Sequence, residues 1–327
     1  MRLFAALIVS GVLAAGAAVY WLGQPYKSFQ KDVFFDLAKG TGTSEIADDL
    51  AVSGVIRNRW QWILARMLQP RARLQAGEYK FSEPASVWTI FDRIVRGDVF
   101  YYEVTIPEGS NMFDVATHVE RLGYIKASDF LKVAQDPKPI RDLSPNAPSL
   151  EGFLFPSTYR LLRTTTAGQL SRKMTDQFRH NWAELKGEGA GDANRVVTLA
   201  SLVEKETGVA AERPRVAAVL ENRIRLGIPL DCDPTTIYAA ILAGKYHGVI
   251  HRSDLENDSP YNTYRHRGLP PGPITNPGLA SLKAALHPEQ SDYLYFVARP
   301  DGSGGHNFSK TLSEHTVHVL EYRRGKR

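Results

Sequence analysis

The spacing of apolar positions divides the chain into three kinds of segment. Leu3 to Leu22, LFAALIVSGVLAAGAAVYWL, is an uncharged run of twenty residues preceded by Arg2. That is the length of helix needed to cross a bilayer core, and it exceeds the apolar core of a signal peptide. Tyr20-Trp21 closes the run with an aromatic pair suited to a membrane interface. The expectation is an uncleaved transmembrane anchor over residues 1–24, with Arg2 on the cytoplasmic side and everything after Gln24 exported; the small residues around Ala15 to Ala18 leave a cleaved signal as the alternative.

The second kind of segment repeats. Gly40, Ile46, Leu50, Gly54 and Ile56 recur as Gly109, Val115, Val119, Gly123 and Ile125, each pair 69 positions apart (109 − 40, 125 − 56). Each copy opens on an extended run, VFFDLAKG from Val33 and YYEVTIPEG from Tyr101, turns at a glycine, and enters a helix with apolar residues at helical spacing. A further Gly and Ile mark the turn toward a second helix. The pattern predicts two related small α/β modules within residues 25–145, followed by a proline-rich connection containing Pro137, Pro139, Pro145 and Pro148.

Beyond it, helical periods run over Ala167 to Leu185, Asn194 to Thr207, Pro214 to Leu226, Pro234 to Leu242 and Pro277 to Leu286. Three of these begin at a proline, with Asp233 and Asn276 placed as N-caps, and Gly208, Gly227 and Gly244 are read as stops. YLYFVA (Tyr293 to Ala298), DGSGG and HNF (His306 to Phe308) predict a hairpin. The class expected is therefore α+β: a transmembrane helix, small α/β modules, and a mainly helical domain over 146–327 carrying a β-hairpin.

Composition narrows the partners. With 43% hydrophobic and 23% charged residues the chain folds, and a net charge of +5 with no dense Lys/Arg cluster on one element argues against nucleic acid. Arg57, Arg59, Arg66, Arg71 and Arg73 around Trp60 and Trp62 form either a solvated face or a contact for anionic headgroups. Cys232, alone in an exported chain, excludes an internal disulfide and reads as a small buried hydrophobe.

The candidate chemistry lies in LASLVEKETG, Leu199 to Gly208. On a helical wheel centred on Val203, Glu206 falls on the apolar arc between Leu199 and Leu202, Glu204 on its edge, and Lys205 outside it. A carboxyl on a core-facing stripe, in the last turn of a helix, has its pKa raised by desolvation and by the helix dipole. Such a group is either a general acid or the buried partner of Arg223 or Arg215. Asp231 and Asp233, in PLDCDPTT, are candidate second carboxylates. His247/His251 and His315/His318 have helix-face spacing but no matching carboxylate, and no metal is assigned. Asn257 to Gly278 supplies Tyr261, Asn262, Tyr264, Arg265 and Arg267 on a Pro/Gly-fixed loop, either a sugar groove or an ordered structural loop.

LEGFLFPSTY (Leu150 to Tyr159), ASLVEKETG (Ala200 to Gly208), DPTTIYA (Asp233 to Ala239), YNTYRHRGLPPGPITNPG (Tyr261 to Gly278), SLKAALHP (Ser281 to Pro288), and YLYFVA followed by GGHNF (Gly304 to Phe308) together resemble the endolytic murein transglycosylases of the MltG, or YceG-like, family. AGEYKF (Ala76 to Phe81) and the N-terminal run fit as well. The resemblance implies a single-pass inner-membrane protein with a periplasmic LysM-like region. Its catalytic domain would cleave the MurNAc-GlcNAc bond of peptidoglycan strands to 1,6-anhydro ends, terminating elongation, with no cofactor. It places the catalytic role on Glu206, support on Glu204 and Asp233, and substrate contact on Tyr261, Asn262, Tyr264, Glu151, Asn222 and His306. It also implies penicillin-binding synthases as partners. The alternatives are a hydrolytic muramidase and a non-enzymatic peptidoglycan-binding scaffold.

Overall fold

The computed structural model describes residues 2–123, 125–186 and 192–325, and the chain divides into two compact units, Met1–Tyr102 and Glu103–Arg327. The first unit begins with α1 (Arg2–Gly23), whose last turn buries Leu22 against the unit's core and whose Trp21 carbonyl accepts a hydrogen bond from Gln61 Nε2. Val9, Leu13, Val19 and Tyr20 are exposed. Among the described residues no helix is long and apolar enough to cross a membrane. The side chains of residues 3–8, 12, 14 and 15 of the Leu3–Leu22 run lie outside those described.

Next come β1 (Val33–Leu37), α2 (Thr43–Val52), α3 (Arg59–Leu68) and β2 (Gly77–Phe81), and β2 closes antiparallel on β1 with Val33 opposite Phe81. Then α4 (Val87–Arg96) lays Ile90, Phe91 and Ile94 onto Trp62, Tyr79 and Leu50. Trp62 is thus a core residue, whereas Trp60 is exposed. The arginine face expected here is partly consumed internally: Arg59 pairs with Asp48 at 2.9 Å, and Arg66 donates to the carbonyls of Gln69 and Ala72.

The second unit opens with the same order: β3 (Tyr102–Thr105), α5 (Met112–Glu120), α6 (Ala127–Ala134) and β4 (Thr158–Leu161), with β3 and β4 hydrogen-bonded as a pair. The 69-residue repeat is therefore a repeated βααβ unit. Its glycines recur for a backbone reason: Gly40 (φ 92°) and Gly109 (φ 76°), then Gly54 (φ 73°) and Gly123 (φ 85°), all occupy the left-handed region. The paired apolar positions Ile46, Leu50 and Ile56, and Val115, Val119 and Ile125, are all buried.

The rest is mainly helical: α7 (Ala167–Lys186), α8 (Ala193–Glu206), α9 (Arg213–Leu226), α10 (Asp233–Leu242), α11 (Arg252–Leu255) and α12 (Leu279–Leu286). The hairpin β5 (Tyr295–Ala298) and β6 (His306–Ser309) is followed by α13 (Leu312–Gly325). The hairpin is antiparallel, pairing Ala298 with His306, as its sequence predicts. One core runs from Val104 and Val115 in the second βααβ copy through Leu150, Phe153 and Phe178 to Leu199, Leu202 and Leu282. Two expected N-caps are corrected. Cys232, not Asp233, stands before α10, and α12 starts from Gly278, which frees Asn276 for another task.

Candidate active site

The end of α8 sends three consecutive side chains three ways. Thr207 takes an extended backbone (φ −142°, ψ 131°), so the helix stops there and not at a left-handed Gly208. Glu204 turns inward: its Oε1 accepts from Arg213 Nη2 at 3.1 Å and its Oε2 from the Gly278 N–H at 2.9 Å, tying the end of α8 to the start of α12. Its side chain is 6% exposed, so this glutamate is a buried brace and not part of the helix surface. Lys205 is exposed.

Glu206 is half-buried and lines a cavity of about 320 Å³. Burial pushes its carboxyl up to about 7, the nearby Asp233 charge adds to the rise, and contact with the Cys232 thiol and the Arg223 charge oppose it. Neither arginine foreseen as an ion-pair partner takes it. Arg215 is bound to Glu289 at 3.0 Å, and Arg223 donates to the carbonyls of Leu294, Pro229 and Leu230 and to Asp231. A carboxyl that is desolvated, unpaired by a cation and open to a cavity holds a proton near neutral pH and can give it to whatever enters.

Asp231, Asp233 and Tyr264 line the same cavity. Tyr264 Oη donates to Asp233 Oδ1 at 2.6 Å. Asp231 has φ 53°, and burial pushes its carboxyl up against the opposing pull of Arg223. Cys232 between them is 3% exposed, so the packing role expected of it holds; its thiol donates to the Leu230 carbonyl at 3.7 Å, and burial beside the Glu206 carboxyl pushes its pKa up. Tyr295, Phe296 and His315 complete the wall from the hairpin and α13. His315 stacks on Tyr295 with ring centroids 5.2 Å apart, and its Nδ1 is buried with no hydrogen-bond partner among the described residues.

Of the substrate-contact residues expected, the structure brings only Tyr264 to this cavity. Asn262 is fully buried, its Nδ2 donating to the carbonyls of Leu255 and Asn257 and its Oδ1 accepting from the Tyr264 N–H, so it shapes the loop that presents Tyr264. Tyr261 packs against Tyr238, ring centroids 5.1 Å apart, with its phenol pushed up to about 12 by burial. Asn222 holds the carbonyls of Ser291 and Tyr293, bracing the approach to β5. His306 is buried against Glu212, which its backbone N–H and ring both engage. Burial raises the Glu212 carboxyl, but these bonds bring it below its usual range.

Glu151 is also fully buried. It accepts from the Met112 N–H at 2.9 Å, Tyr238 Oη at 2.9 Å and Asn276 Nδ2 at 3.0 Å, and burial pushes it up to about 8. Asn276 Oδ1 in turn accepts from the Gly152 and Leu154 N–H groups, and its Nδ2 also reaches the Ser110 carbonyl. Glu151 and Asn276 thus weld the LEGFL segment, the turn of the second βααβ copy and the loop before α12 into one frame. Sequence reading missed Tyr295, Phe296 and the cavity role of His315. Both strand and helix lie far along the chain from Glu206, and no local spacing connects them. His247 and His251 flank a loop before α11 and do not share a helix face.

Comparison with known proteins agrees in one direction. A family model described as the YceG-like family matches residues 35–321. The endolytic murein transglycosylase of Bacillus subtilis (strain 168) is 31% identical over 336 residues, which is 97% of this chain and 91% of that one. A protein of the same name from Streptococcus pneumoniae D39 is 27% identical over 90% of this chain but 59% of its own length. The crystal structure of a putative yceG-like protein from Listeria monocytogenes aligns with a TM-score of 0.56 at 30% identity, covering 88% of this chain and 99% of the other.

Proposed function

The chain belongs to the YceG-like family, and from that premise and the unpaired, desolvated carboxyl of Glu206 we propose that it is an endolytic lytic transglycosylase of peptidoglycan. Two relatives bearing the name endolytic murein transglycosylase support the substrate class. The observation that carries the reaction is the position of Glu206, a half-buried carboxyl on a cavity wall with its pKa pushed up to about 7 by that burial. Protonated Glu206 gives its proton to the glycosidic oxygen between MurNAc and GlcNAc as the bond to the muramyl C1 breaks. The carboxylate so formed takes the proton of the muramyl 6-hydroxyl while that oxygen bonds to C1. The acid is restored, no water is consumed, and the product ends in a 1,6-anhydro ring. One carboxyl acting first as acid and then as base needs a pKa near the working pH.

Asp231 and Asp233 on the same wall favour one competing reading, hydrolysis with a carboxylate and a water. Tyr264 and Arg223 each occupy a carboxylate oxygen of these two aspartates, which leaves fewer lone pairs free to hold a water. Glu206→Gln preserves size and removes the proton, so activity on purified uncross-linked strands falls about 10² to 10⁴-fold without loss of fold. Full activity in that variant would overturn the reading. Mass spectrometry of the wild-type digest separates the two reactions, since hydrolysis leaves ends heavier by one water. With the acid titrating near 7, kcat/KM declines about tenfold per pH unit above that value.

The same proposal extends to place. Helix α1 of 22 residues is about 33 Å long, close to a hydrocarbon core of about 30 Å, and it presents Val9, Leu13 and Val19 outward. We read it as a single-pass inner-membrane anchor, the βααβ copies as LysM-like periplasmic modules, and penicillin-binding synthases as partners. Fractionation with N-terminal sequencing tests the anchor: a soluble protein starting near Val19 would remove it.

A further inference from the structure

Lys205 and Glu206 are consecutive, yet they wall different cavities. Glu206 faces the one described above, while Lys205 lines a second of about 210 Å³ together with Asn111, Ile237, Ile241 and Tyr246. The start of α10 splits in the same way, with Asp233 on the first cavity and Pro234 on the second. The end of α8 and the start of α10 therefore form a ridge with a cavity on each side. The second cavity shares Gly109 and Asp114 with a third of about 220 Å³, which runs past Glu108, Thr117, His118 and Arg121.

The lining has the composition that a sugar ring uses. Ile237, Ile241 and Tyr246 are not fully buried and offer apolar surface against which a pyranose face packs. Around them stand an ammonium, an amide and a carboxylate, from Lys205, Asn111 and Asp114. Among the described residues the Lys205 ammonium makes one long hydrogen bond, 3.4 Å to the Gly109 carbonyl, so donors remain for hydroxyl or acetamido oxygens. An acid that cuts within a polymer needs the chain held on both sides of the bond, and the first cavity stops at the ridge.

Resting on the reading of Glu206 as the acid, we infer that the second cavity binds the glycan strand on the far side of the scissile bond, one amino-sugar residue deep, and that the third receives the chain beyond it. The turn of the second βααβ copy is then part of the substrate track.

The test uses the full chain, with glycan strands stripped of peptide as probe. On long strands Lys205→Ala and Tyr246→Ala each raise KM about tenfold, the worth of one sugar contact, with kcat kept. Binding of fragments too short to cross the ridge, read by calorimetry, is changed by neither variant. In the Glu206→Gln background the same variants weaken strand binding by the same factor, read by calorimetry. Lys205 is exposed, so its variant folds even if the tyrosine variant does not. An unchanged KM on long strands, or a rise only on peptide-bearing strands, would overturn the inference. Retained activity of Glu206→Gln alone would instead remove the reading beneath it.

Discussion

The two βααβ copies begin from one pattern and are used differently. In the first, α3 ends at Leu68 and β2 begins at Gly77; in the second, α6 ends at Ala134 and β4 begins only at Thr158. The longer connection carries Leu150, Phe153, Leu154 and Glu151 into the catalytic core. The entries to the first helices differ too. Asn111 and Asp114 form a reciprocal capping box on α5, whereas α2 starts from Gly42 with no side-chain cap. The turn of the second copy is also bonded to the loop before α12, with the Gly109 N–H on the Asn276 carbonyl and the Asn276 N–H on the Ser110 carbonyl. Periodicity and glycines fix what a copy is; the insertion and the bonds it makes fix what it is for.

The largest test of this difference is Asn276→Ala. It removes four buried partnerships, to Gly152, Leu154, Ser110 and Glu151, with no equivalent in the first copy. At about 1–3 kcal/mol for each buried group left unpaired, and with water recovering part, the second unit loses about 3–5 kcal/mol. The first unit keeps its melting transition. Chemical denaturation followed by probes specific to each unit reads the outcome, and equal destabilisation of both would break the comparison.

The same contrast shows what the sequence could disclose. The repeat, the helices from α7 to α10 and the hairpin were legible because each rests on local spacing or on a turn glycine. The position of Glu206 was legible for the same reason, since a wheel needs only neighbours in sequence. Glu204 was less so: its burial comes from Arg213 and from the backbone of Gly278, distant in the chain. Asn276 looked like an N-cap because Pro277 follows it, yet its four partners lie more than a hundred residues upstream. Asn262 carried sugar-binding chemistry by type and Glu151 by the family resemblance, and only the packed structure shows their polar atoms already satisfied.

A smaller effect comes from pH. In the second unit, burial raises the carboxyls of Glu151 to about 8 and Glu206 to about 7, while in the first the exposed Asp32 is lowered by its bond to Lys80. A carboxyl whose folded pKa lies above its unfolded value leaves stability at its fullest below the unfolded value. That stability is lost as pH rises through the folded one. The second unit should therefore weaken by a few kcal/mol between about pH 4.5 and 8, and the first should not. Glu151→Gln flattens the slope, and urea midpoints at pH 5, 6.5 and 8 measure it.

The smallest effect sharpens the comparison most, because it uses equivalent positions. Gly54 and Gly123 stand 69 residues apart at the same turn, with φ 73° and 85°, and each donates its N–H to the carbonyl three residues back, Ala51 or Glu120. Alanine pays a steric cost of about 1 kcal/mol in that left-handed backbone in either copy. The surroundings are unequal. A Cβ on Gly54 would lie 2.3 Å from Ser28 Oγ, whose rotation relieves only part of the clash because the Ser28 Cβ and carbonyl carbon follow at 3.4 Å. Among the described residues, a Cβ on Gly123 meets nothing within 4 Å. Gly54→Ala should thus cost about 2 kcal/mol and Gly123→Ala about 1, each confined to its own unit. If the two cost the same, the first copy's turn is no more tightly enclosed than the second's, and the two copies differ only by the insertion and its hydrogen bonds.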